Sequence, residues 1–178
     1  MKHCIVEDSS FIVATIDKND ALHKDAIFIF KKILENRDKI KIIVPPLGLY
    51  EVIVTLSRKG IPHNIIEEKI LNLIHIEEII VTSITEASAF KHCKNALNVL
   101  SQKDALRNSD FLITSLAMDY EAQILTFDKT MYTKVKPHYD KIYYCSSLDK
   151  TKDNSQRFLN ELKTAIGENE LDIKDIPL

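Results

Sequence analysis

Short apolar runs alternate with longer amphipathic stretches along this chain, and no other feature constrains its fold as strongly. Five runs have the length and apolar character of buried strands: residues 4–6, 41–44, 79–81, 123–127 and 142–145. The first is too brief to form a stable helix of its own. Because strands that alternate with helices form α/β folds, the pattern predicts a mainly parallel sheet.

Between these runs the apolar residues recur at helical spacing. A short helix is expected after the first strand, and longer helices are predicted over about residues 21–36, 47–58, 63–74 and 86–100. A further helix begins at Asp110. In the first long helix one face carries the apolar residues Leu22, Ala26, Ile29, Phe30 and Ile33. Pro46 favours the start of the next helix, since proline suits the first helical turn.

Composition limits the class of protein. The chain has 178 residues, 45% of them hydrophobic, which suffices for one globular core, and its net charge of -2 does not by itself indicate nucleic-acid binding. Cys4, Cys93 and Cys145 are far apart and form no C-x-x-C pair, which argues against a zinc site or disulfide framework. No apolar run approaches ~18 residues, so neither a membrane span nor a signal peptide is expected. A cytoplasmic location is the resulting prediction.

The chain changes character near its end. Residues 1–148 are predicted to form the domain, and residues 149–178 a C-terminal extension. Within the extension, residues 150–156 are polar and residues 157–166 have the spacing of a short helix. The remainder is expected to be a loose tail.

Three carboxylates fall at the same predicted edge of the sheet. Asp8 ends the first strand, Asp128 ends the fourth, and Asp110 starts the helix that leads into the fourth. Sites in open α/β sheets lie outside the carboxyl ends of the strands. A fourth acid, Glu51, is the only charged residue between positions 45 and 56, and its apolar neighbours predict that it is enclosed by apolar surface.

Each of these acids also has a purely structural interpretation. Asp8 could be a cap or turn residue, Asp110 a carboxylate that interacts favourably with a helix N-terminus, and Glu51 a residue on the solvent edge of its helix. If the four lie together, their like charges repel unless something compensates them. Hard divalent cations with oxygen ligands, such as Mg²⁺ or Mn²⁺, suit that role.

Four segments together resemble the PIN-domain family of metal-dependent ribonucleases. They are residues 6–11, 44–56, 110–117 and 125–128, and the likeness extends over about residues 3–146. The resemblance implies a three-layer α/β/α fold with a mainly parallel sheet of about five strands.

The resemblance also assigns roles by position. The acidic metal-binding cluster of the family is matched by Asp8, Glu51, Asp110 and Asp128. Ser9 matches a small polar residue near the metal, and Thr126 matches a hydroxyl that supports the site. Asp104 offers a competing register for Asp110, but Asp110 begins a cleaner helix and needs less loop before Asp128.

Activity and partners follow from the resemblance as expectations. We expect an Mg²⁺- or Mn²⁺-dependent endoribonuclease that acts on single-stranded or looped RNA and forms a homodimer. If the chain is a toxin, an antitoxin protein is expected as its partner. The lysines at positions 129, 134, 136 and 141 could flank the site or belong to a charged loop.

The sequence leaves two other functions open. A domain of this fold could act as a non-catalytic binding or scaffold module. A phosphatase with an aspartyl nucleophile at Asp8 would want a second aspartate two positions later, where this chain has Ser10.

Overall fold

A computed structural model describes residues 2–83, 106 and 108–145, with isolated positions 85, 89, 91, 94, 160, 161 and 164. The strands are β1 (His3–Glu7), β2 (Ile40–Val44), β3 (Ile79–Val81), β4 (Gln123–Thr126) and β5 (Ile142–Tyr144). The helices are α1 (Ser9–Ile16), α2 (His23–Glu35), α3 (Pro46–Arg58), α4 (His63–Ile74), α5 (Asn108–Asp119) and α6 (Lys129–Val135). The helices predicted near 86–100 and 157–166 lie outside the described stretches, as does most of the predicted extension at 149–178.

The five strands form one parallel sheet with the order β3-β2-β1-β4-β5. The prediction of an α/β fold with a parallel sheet of about five strands is therefore confirmed. The chain builds outward from β1 to β3 on one side and then returns to place β4 on the other side of β1. This reversal opens a crevice at the carboxyl ends of β1 and β4, where ligands bind in such sheets.

Helices cover both faces of the sheet and give three layers. Successive strand residues point to opposite faces, so Ile5 packs in the core beneath α1 to α4, whereas Val6 packs in the core beneath α5 and α6. Burial of each such side chain contributes about 1.5–3 kcal/mol. The rings of Phe11 and Phe127 stack with centroids 5.3 Å apart, which joins the start of α1 to the end of β4.

Helix α6 decides part of an alternative that the sequence left open, because Lys129 and Lys134 lie on a helix, whereas Lys136 follows its last residue and Lys141 lies in the turn before β5. Asp128 accepts hydrogen bonds from the backbone N–H groups of Thr130 (2.7 Å) and Met131 (3.0 Å), which caps the helix. Met131 and Val135, four positions apart, are fully buried under it. Lys129 and Lys134 thus lie on the more exposed part of an amphipathic helix. Within the described residues, no helix combines the length and apolar character needed to cross a membrane.

Candidate active site

A groove of about 530 Å³ opens at the carboxyl ends of β1 and β4. Its lining includes all four acids singled out in the sequence, which are Asp8, Glu51, Asp110 and Asp128, and it also includes Ser9. The acids come from four different elements: the start of α1, the middle of α3, the first turn of α5 and the start of α6. The fold therefore brings together residues that lie up to 120 positions apart.

Asp8 is the most enclosed of the four acids, with 4% of its surface exposed. It caps α1, where one carboxylate oxygen accepts a hydrogen bond from the N–H of Ser10 at 3.3 Å. Burial raises the pKa of Asp8, while hydrogen bonds from Ser10 and Thr126 act in the opposite direction. The charged form of Asp8 is thus disfavoured by desolvation, and a nearby positive charge would stabilise it.

Thr126 links the ends of the two central strands. Its hydroxyl donates to Asp8 Oδ2 at 2.8 Å and accepts the backbone N–H of Asp128 at 2.9 Å. It lies beneath the groove and holds two of the acids in register. Its predicted supporting role is compatible with this position and stays a prediction.

Ser10 is a site residue that the sequence interpretation missed. Its hydroxyl donates to Asp8 Oδ2 and accepts the N–H of Phe127 at 3.0 Å. Ser9, the predicted site residue, makes a longer contact to the other Asp8 oxygen at 3.4 Å. The available signal was the position of Ser10 two residues after an aspartate that caps a helix, where side chain and backbone commonly share hydrogen bonds.

Asp110 and Asp128 both lie at helix N-termini. Asp110, which is 6% exposed, occupies the first turn of α5. Asp128 is half-buried and caps α6. Positions of this kind favour a negative charge because the helix dipole is positive there. The competing residue Asp104 lies outside the described residues.

Glu51 departs from the expectation of an apolar enclosure. It is half-buried, and its neighbours Tyr50 and Ile53 are 65% and 41% exposed. Val52 and Leu56 carry the buried face of α3, which leaves Glu51 at the border of that face. Its carboxylate lines the groove and is less enclosed than that of Asp8.

Two cationic residues at the end of α3 also line the groove. Lys59 Nζ lies 2.9 Å from Asp17 Oδ2 and 2.7 Å from Asp20 Oδ2, which ties α3 to the loop after α1. The hydrogen bond from Lys59 lowers the pKa of Asp17. Arg58, the preceding residue, is exposed at the groove.

The donor chemistry of the groove fits Mg²⁺ or Mn²⁺. Within the described residues, no three His, Cys, Asp or Glu side chains are already arranged to hold one ion. Mg²⁺ needs only one or two protein carboxylates, because it retains several waters and accepts substrate phosphate oxygens. The desolvated carboxylate of Asp8 is a suitable first ligand, since a cation would offset its burial cost.

Comparisons with known proteins identify the fold. A family model described as PIN domain matches residues 5–136. The structure resembles VapBC2 from Rickettsia felis bound to promoter DNA, with a TM-score of 0.58 and 14% identity over 78% of this chain and 95% of that chain. It also resembles VapC20 from Mycobacterium tuberculosis, a toxin that cleaves the sarcin-ricin loop, with a TM-score of 0.56 and 16% identity over 72% and 93%.

A third similar structure is FitAB bound to an IR36 DNA fragment, with a TM-score of 0.54 and 15% identity over 74% of this chain and 90% of that chain. No curated protein gives a significant match. At these identities the structural likeness shows the fold alone.

Proposed function

Because this chain belongs to the PIN-domain family, we propose that it is a metal-dependent endoribonuclease. The observation that carries the proposal is the convergence of Asp8, Glu51, Asp110 and Asp128 on one groove at the carboxyl ends of β1 and β4. Four carboxylates in one groove repel each other, and their concentration there is useful if divalent cations bind between them.

Asp8, Asp110 and Asp128 would hold one or two Mg²⁺ or Mn²⁺ ions, and Glu51 would complete the shell or orient the attacking water. The ion supplies two effects when bound: it lowers the pKa of a coordinated water, and it stabilises negative charge on the phosphate. Thr126 and Ser10 keep Asp8 in place through hydrogen bonds, so that its carboxylate need not reorganise when substrate enters.

The proposed substrate is RNA in a single-stranded or looped form, since a flexible strand can place one phosphate among the acids. The similarity to VapC20, a toxin that cleaves the sarcin-ricin loop, supports RNA as the substrate class. A toxin role with an antitoxin partner, and a homodimeric assembly, belong to the same proposal. A basic side chain of an antitoxin would block the groove by pairing with its carboxylates.

Cleavage of structured RNA by the purified 178-residue chain tests the activity. We expect cleavage in Mg²⁺ or Mn²⁺, its loss in EDTA, and a decrease of at least about a hundredfold in Asp8→Asn and Asp110→Asn. Asp38→Asn, which changes an exposed acid in the loop before β2, is the matched control and should leave the rate unchanged. Cleavage that is equal in Asp8→Asn, Asp110→Asn and Asp38→Asn would refute the assignment.

A non-catalytic binding module is the second candidate, and the separation of the acids among the described residues is the observation that favours it. Calorimetric titration with Mn²⁺ distinguishes the two. A nuclease should bind Mn²⁺ and lose that binding in Asp8→Asn, whereas a scaffold need not bind it.

A further inference from the structure

One face of α3 borders the groove and carries groups that hydrolysis itself does not use. The α3 side chains that line the groove are Tyr50, Glu51, Val54, Thr55 and Arg58. They recur at intervals of three and four residues, so they form a single stripe along the helix. Glu51 belongs to the acidic set, whereas Tyr50 and Arg58 lie at the two ends of the stripe. Their chemistry is that of substrate binding.

Tyr50 presents an aromatic ring at the edge of the groove. With 65% of its surface exposed, it is the most exposed large hydrophobic side chain among the described residues. It lines the same groove as the four acids. Proteins that bind single strands use aromatic side chains in this way, because an unpaired base can stack on the ring whatever its identity.

Arg58 supplies a positive charge at the other end of the stripe. The charge of its neighbour Lys59 is already neutralised by Asp17 and Asp20. Within the part of the chain that the structure describes, Arg58 has no ion pair or hydrogen bond through its side chain. Its guanidinium is therefore available for a phosphate, which it can bind through two parallel hydrogen bonds.

Tyr50 and Arg58 are eight positions apart in the helix, which corresponds to about 12 Å along its axis. We propose that this stripe binds an unpaired stretch of RNA, with Tyr50 stacking on a base and Arg58 contacting a backbone phosphate beyond the acids. The inference rests on the proposed ribonuclease function and names the two residues that select the substrate. A regular duplex does not offer an unstacked base, so the stripe favours loops and single strands.

Fluorescence anisotropy with a short unstructured RNA in Mg²⁺ measures the binding, in the Asp8→Asn background to prevent cleavage. Tyr50→Ala should weaken binding about tenfold or more, whereas Tyr50→Phe should bind like its parent. Tyr120→Ala, which removes a 49% exposed tyrosine outside the groove, is the control. Arg58→Gln should weaken binding and reduce the slope of log affinity against log salt by about one. Arg37→Gln, which changes an exposed arginine outside the groove, should do neither.

Several results would overturn the inference. One is an equal affinity of Tyr50→Ala and Tyr120→Ala, and another is an equal salt slope for Arg58→Gln and Arg37→Gln. Equal affinity for a duplex and a single strand of the same length would also contradict it. A change of molecular mass in Tyr50→Ala by light scattering, with RNA affinity unchanged, would assign the stripe to contact between protein chains.

The same experiment separates this inference from the proposed activity. If the unsubstituted chain cleaves no RNA but the binding differences at Tyr50 and Arg58 are found, the ribonuclease proposal fails and the substrate-binding stripe is supported. If cleavage occurs without those binding differences, the ribonuclease proposal is supported and the substrate-binding stripe is refuted. Circular dichroism checks that each variant is folded. If Asp8→Asn is not folded, Asp110→Asn replaces it as the background.

Discussion

Glu7 makes the stability of this protein depend on pH in a way that one substitution should abolish. It ends β1 with only 1% of its surface exposed, and among the described residues its Oε1 is the buried side-chain oxygen without a hydrogen-bond partner. Burial raises the pKa of Glu7 from the ordinary value of 4.5 to about 8. The folded protein therefore keeps the carboxyl protonated over a range in which the unfolded chain ionises.

The direction of the effect follows from proton binding. Below about pH 4.5 both states hold the proton, and Glu7 does not affect the free energy of unfolding. Between about pH 4.5 and 8 the unfolded chain releases the proton while the folded protein retains it, so stability falls as pH rises. Since one pKa unit corresponds to about 1.4 kcal/mol, the full loss is roughly 5 kcal/mol, and above about pH 8 it no longer grows.

Urea denaturation of Glu7→Gln and of the unsubstituted chain, at several values between about pH 5 and 8.5, tests this. Other titrating groups contribute equally to both proteins, so the difference between their unfolding free energies isolates Glu7. We expect the substituted protein to gain stability relative to the parent by about 1 kcal/mol per pH unit across that range. Glu68→Gln, which changes an exposed acid on α4, should run parallel to the parent. A parallel curve for Glu7→Gln would refute the reasoning.

Two further predictions concern the supports of the groove. Thr126→Val removes the hydroxyl that links Asp8 to the N–H of Asp128, so it should lower the free energy of unfolding by about 1–3 kcal/mol and reduce RNA cleavage. Thr133→Val, on the exposed face of α6, is the control and should do neither. Equal effects of the two substitutions would contradict the proposed link. Lys59→Met breaks two ion pairs of a partly exposed lysine, so chemical denaturation should show a loss of about 1 kcal/mol. Lys32→Met, which breaks one exposed ion pair within α2, should lower the free energy of unfolding by only about 0.3 kcal/mol. A larger loss in Lys32→Met than in Lys59→Met would refute the role of Lys59.

Much of this fold is determined locally, and for that reason the sequence could predict it. Each strand contains a short apolar run, and α2, α3 and α4 each have an apolar stripe of their own, so length and periodicity identify them without knowledge of their neighbours. The same is true of the acids at element ends, because a carboxylate after a strand or at a helix start is visible in the sequence. Helix α6 escaped prediction because its lysines mask a stripe of only two buried residues, Met131 and Val135.

What the tertiary structure alone decided is how these elements meet. The hydrogen bond between Thr126 and Asp8 joins residues 118 positions apart, and it exists because β4 returns to pair with β1. The same pairing brings Ser10 to the N–H of Phe127 and encloses Glu7, a carboxylate that in the sequence reads as the start of a polar turn. The sequence of one strand does not show which elements pack on its two faces, because its burial depends on residues from distant parts of the chain. The sequence by itself therefore determined which acidic side chains are available to the site, and the strand order determined that they share one groove.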